Sequence, residues 1–93
     1  MKHYIIVKFN ETVNILDIVE PIKDLFGNVL EIEGVSKIEV YVSNSDRTNR
    51  HDLMIEMVLT KSALEKFDSS EIHKQWKNEY SKYITSKTIF DCE

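Results

Sequence analysis

The chain has 93 residues, with 12 Lys or Arg against 16 Asp or Glu and a formal net charge of −4. That length suits one domain, and the acidic balance, with basic residues spread along the chain, offers nucleic acid no cationic face. No run approaches the ~20 apolar residues of a membrane helix, and the single cysteine, Cys92, excludes an internal disulfide and fits a reducing cytoplasm.

Residues 3–9, HYIIVKF, are rich in β-branched and aromatic side chains and read as a first strand. Its apolar run is interrupted by Lys8 and lacks a small-residue cleavage site, unlike a signal peptide. After a polar break at 10–12, Ile15, Ile18, Val19, Ile22, Phe26 and Val29 recur at helical spacing, with Asn14 as the N-cap. Pro21 falls inside this stripe, and a proline in a helix interior costs ~3 kcal/mol. Because the stripe continues past it, one kinked helix is expected rather than two short ones. EGV at 33–35 turns the chain, and SKIEVYV at 36–42 alternates as a second strand. In SNSDRTNR and the following His51, Arg47 and Arg50 are flanked by Asp46 and Asp52, as in a solvated loop. HDLMIEMVL at 51–59 reads as the third strand. Ser62 and Glu65 are spaced as a capping box for a short helix, and Asp68 and Glu71 repeat that spacing before a last helix. Ile72, Trp76, Tyr80 and Tyr83 fall on one side of that helix, and SKTIFDCE closes the chain as a strand. The order β-α-β-β-α-β predicts an α+β, ferredoxin-like single domain over 1–93 with an antiparallel sheet.

Alternation sorts the strands into two faces. One carries Ile5, Val7, Phe9, Ile38, Val40, Val42, Leu53, Ile55, Met57, Leu59 and Ile89, and the helices need it as their surface. The other carries Tyr4, Ile6, Tyr41, Met54, Val58 and Phe90 among Lys8, Lys37, Glu39, Glu56 and Cys92. No helix remains to cover this second face. A second copy of the sheet is the simplest cover, which predicts a homodimer with those six apolar and aromatic residues in its interface. A monomer with one half-wet sheet face is the alternative.

The opening MKHYIIVKF, Phe67 followed by IHKQW, and the closing IFDCE together resemble the stress-responsive dimeric α/β-barrel (Dabb) family, over essentially the whole chain. The resemblance implies a small cytoplasmic, stress-responsive homodimer whose sheets pack into a barrel. Some plant members cyclise polyketides with a His on the last helical segment, a nearby Tyr, and a His on the first strand lining the pocket. On this chain the two His positions are matched by His73 and His3. Phe67 stands at the Tyr position, and SSEIH stands where the family has His-Pro-x-His.

His3 shares the helix-facing side with Ile5 and Val7, and His73 sits on the helix above it. A neutral imidazole exchanges protons near pH 7. The two are therefore the candidate catalytic pair, with His73 as general acid or base and His3 orienting a substrate. The alternative is a hydrogen-bonded His3 at the core edge and a solvent-facing His73. The candidate ligand pocket lies between the helices and the apolar sheet face, among Ile5, Val7, Phe26, Ile55, Met57, Phe67, Trp76 and Ile89. Two His without a convergent carboxylate or thiolate make no metal site, two glycines make no phosphate loop, and no cofactor is expected. Cys92 reads as a packing thiol. The expected function is binding of a small apolar or aromatic molecule, favoured by the changes at Phe67 and SSEIH. The alternative is a polyketide-cyclase-like or lyase enzyme.

Overall fold

A computed structural model describes residues 1–93. It contains strands β1 (Lys2–Phe9), β2 (Val35–Val42), β3 (Leu53–Leu59) and β4 (Ile84–Cys92). The helices are α1 (Ile15–Gly27), α2 (Lys61–Asp68) and α3 (Glu71–Tyr80), and short 3-10 turns follow α1 and α3. The sheet order is β2-β3-β1-β4 and every pairing is antiparallel. This is the ferredoxin-like arrangement, with the second helical region divided into α2 and α3. No helix is long and apolar enough to cross a membrane.

The helix starts follow from side chains that satisfy the free N–H groups of a first turn. Asn14 accepts from the Leu16 N–H, as its position suggests. The other two caps differ from the expected ones. Thr60, not Ser62, accepts from the Ala63 N–H, and Ser70, not Asp68, accepts from the His73 N–H. Both capping residues have extended backbone, with ψ at 160°, which aims the hydroxyl back at the turn. Helix α1 runs unbroken through Pro21, which is exposed. The carbonyl deprived of its helical donor there is that of Asp17, also exposed, where water can replace the missing bond. Tyr83 lies beyond α3, in the 3-10 turn, and its carbonyl accepts from the Asn10 N–H at 2.7 Å.

The core forms where the helices meet the two central strands. Val7, Ile55 and Met57 are sealed against Ile22, Phe26, Val29, Ala63, Phe67 and Trp76. Phe26 makes an edge contact with Trp76, with ring centroids 5.1 Å apart, a geometry worth ~0.5–1.5 kcal/mol beyond area burial. The edge strands are covered less well. Ile38 and Val40 are half-buried, and Val42 and Ile89, expected on the covered face, are 41% and 47% exposed. The helices are too narrow to shield four strands, so the outer rows stay open.

Gly34 locks the β2 turn to the start of α2. Its φ is +97°, a conformation L side chains avoid, and its carbonyl accepts from the Thr60 N–H at 2.9 Å. A Cβ there would lie 2.5 Å from Thr60 Oγ1, the atom that caps α2. Gly34→Ala is therefore expected to lower unfolding free energy by about 1–3 kcal/mol, measured by urea denaturation. An unchanged urea midpoint would contradict this interlock.

Candidate functional site

The shortfall of helix above β4 leaves a cleft of about 320 Å³. Its floor is His3 and Ile5 of β1 with Lys87, Ile89 and Asp91 of β4, and its roof is Leu64, Phe67 and Asp68 of α2 with His73, Trp76 and Lys77 of α3. The structure thus brings the two candidate histidines to one cavity, together with four of the eight residues assigned to the ligand pocket, Ile5, Phe67, Trp76 and Ile89. The other four, Val7, Phe26, Ile55 and Met57, do not line it. They are wholly buried in the core, because the helices press directly on the central strands there.

His3 is buried, and its Nδ1 lies 2.5 Å from Asp91 Oδ1. The pair is set by strand register, since His3 and Asp91 are directly opposite across β1 and β4. A carboxylate only accepts, so the Nδ1–H donates to it. No protein group bonds Nε2, and no fully buried side-chain polar atom lacks a partner. Nε2 is therefore not fully buried, and His3 lines the cleft.

His73 is half-buried beside Phe67, with ring centroids 5.0 Å apart in an edge contact. Its pKa is pushed below the ordinary 6.5, chiefly by burial and then by the Lys77 ammonium, with Lys87 adding to the effect and Asp68 opposing it. At neutral pH it is a free base. Asp91, Lys77, Lys87, Asp68 and Leu64 also shape the cleft and were not assigned to it from sequence. Asp91 and Lys87 owe their places to the β1–β4 register, which residue types do not encode. No group of three or more His, Cys, Asp or Glu side chains is placed to hold a metal.

All three helices pack on the same sheet face, and the opposite face is bare. There Tyr41 is 43% and Phe90 57% exposed, while Tyr4, Ile6, Met54 and Val58 are half-buried. A hollow of about 140 Å³ on this side is lined by Ile6, Tyr41 and Met54 with His51. The same sheet face carries a carboxylate, Glu56, only 8% exposed. Tyr4 OH donates to Oε2 at 2.8 Å, and Lys37 Nζ and Tyr41 OH donate to Oε1 at 3.1 and 3.3 Å. These donors, Tyr4 first and Lys37 second, hold the Glu56 pKa below its ordinary 4.5, and the same bond raises Tyr4 to about 12.

The folded pKa of His73 lies below that of the unfolded chain, so the unfolded state takes the proton first as pH falls. Its contribution to stability is complete above pH 6.5 and is lost as pH drops through the folded value. In an NMR titration the His73 ring protons are expected to have a midpoint below 6.5, and Lys77→Gln should raise it part of the way. A midpoint at or above 6.5 in the wild type would rule out the described environment.

No protein-family model matches the chain, and no curated protein matches it in sequence. Solved structures do match. A dimeric protein of unknown function with a ferredoxin-like fold from Bacteroides fragilis is 16% identical, with a TM-score of 0.80, covering 99% of this chain and 93% of that one. A Dabb family protein with a ferredoxin-like fold from Mesorhizobium loti is 13% identical, with a TM-score of 0.73 and coverage of 99% and 93%. A hydroxynitrile lyase from Passiflora edulis is 12% identical, with a TM-score of 0.74 and coverage of 96% and 87%. At such identities the likeness is one of architecture: the chain has an α+β, ferredoxin-like fold.

Proposed function

We propose that the protein is a small homodimer, paired through its bare sheet face, that binds a small apolar or aromatic molecule in the cleft between β4 and the α2–α3 pair. The observation that carries this reading is the cleft itself. It is of ligand size, walled by Phe67, Trp76, Leu64, Ile5 and Ile89, and it holds a few polar groups at fixed places. Pairing is supported by the bare face, where Tyr41 and Phe90 stand open to water, and by the dimeric state named for the Bacteroides fragilis neighbour. Glu56 is satisfied by donors of its own chain, so a second copy could cover it without stranding a charge. The likeness to a Dabb family protein agrees with the resemblance in the terminal segments, and a cytoplasmic, stress-responsive role is proposed on that resemblance.

One observation favours a second reading, an enzyme. His3 and His73 line the same cavity, and Asp91 orients the His3 ring through Nδ1, leaving Nε2 without a protein partner. A ligand with an acidic C–H beside a carbonyl would meet two imidazoles able to move a proton. One structural neighbour is named as a lyase, so the architecture is compatible with catalysis. Phe67 supplies no hydroxyl beside His73, which is why binding is placed first.

Sedimentation at micromolar concentration is expected to show a dimer that Phe90→Lys shifts to monomer, and a wild-type monomer would refute the pairing. Titration of the 15N-labelled protein with 2-naphthamide or 2-naphthoate, a neutral and an anionic aromatic probe, is expected to shift amide signals around Phe67 and Trp76, and signals there unmoved by both would refute the cleft as a binding site. For the second reading, the protein should speed exchange of the α-protons of acetophenone in deuterium oxide. His73→Ala should cut that rate by ~10²–10⁴, the usual contribution of a positioned acid–base group. No acceleration by the wild type would leave binding alone.

A further inference from the structure

Resting on that reading of the cleft, we infer that its ligand is an organic acid, with an anionic carboxylate held by Lys77 and Lys87 and an apolar or aromatic body lying on Trp76 and Phe67. The two lysines come from different elements, Lys77 from α3 and Lys87 from β4, and they converge on one cavity. Neither has a carboxylate within ion-pair distance. Lys77 stands on the roof and Lys87 on the floor, so a carboxylate entering between them meets an ammonium from each wall.

The charges around the cavity are unequal in availability. Asp91 is committed to His3, and His73 is neutral at pH 7 for the reasons given above. That leaves two free cations against one free carboxylate, Asp68, at the C-terminal end of α2. An anionic oxygen entering between the lysines gains charge-assisted hydrogen bonds that water-exposed ammoniums provide at little desolvation cost. The apolar walls supply the rest of the binding surface and have no partner for a second charge.

The test compares 2-naphthoate with 2-naphthamide, which share shape and size and differ in charge, by amide chemical-shift titration of the full chain. Naphthoate is expected to bind at least roughly ten-fold more tightly, the scale of one charged hydrogen bond, and the advantage should shrink with added salt. In the Lys77→Gln/Lys87→Gln double variant the two probes should bind alike, with naphthamide binding and the amide spectrum retained as the check on folding. Equal affinity for both probes in the wild type would overturn the organic-acid inference while leaving the cleft as a binding site. A preference that survives the double variant would also overturn it. If neither probe moves signals around the cleft, the cleft reading itself fails and this inference falls with it.

Discussion

Three helices lie on one side of a four-stranded sheet, and even on that side they reach only its centre. This shortfall of cover shapes the rest of the molecule. Over β1 and β3 the packing is complete and the residues are sealed. Beyond β1 the roof ends before the sheet does, so Ile89 is half-open and a cavity forms between β4 and the ends of α2 and α3. On the far side there is no roof, and aromatic residues stand in water. A chain of this size buries only about 60–65% of its unfolded surface, which leaves both openings available for other molecules.

The two openings carry polar groups in different ways. On the bare face Glu56 is encircled by Tyr4, Tyr41 and Lys37, a closed set in which every charge is answered within the chain. In the cleft only the His3–Asp91 pair is closed, and Lys77, Lys87 and Asp68 are left without ion partners. A cluster whose polar atoms are mutually satisfied suits contact with another protein surface. A cavity with free charged heads and apolar walls suits a ligand that has both.

Much of the fold was legible in the residues. Residues 3–9, 36–42 and 51–59, read as strands from β-branched richness and alternation, match β1, β2 and β3 to within two residues, and the helical stripe carries α1 past Pro21. The caps of α2 and α3 were misread because Ser62, Asp68, Thr60 and Ser70 are all capable acceptors, and only backbone direction at the junction selects among them. The cleft was legible in part. Alternation places His3 and Ile89 on the helix side, but nothing in the spacing reveals that the roof stops short of β4. That is why spacing does not separate Val7, Phe26, Ile55 and Met57 from Ile5 and Phe67 as pocket walls, and why residue types do not mark Asp91, which is opposite His3 only through register.

Trp76 is the single tryptophan of the chain. It sits where the sealed core becomes the cleft wall, with Phe26 on one side and Tyr80, 5.2 Å away, on another. Its emission is therefore a local signal with no competing indole, reporting the polarity of that one boundary. Loosening of α3 from the sheet would register as a spectral shift while the backbone ellipticity of the sheet stayed constant, so an optical trace of this protein describes its cavity before it describes its folding.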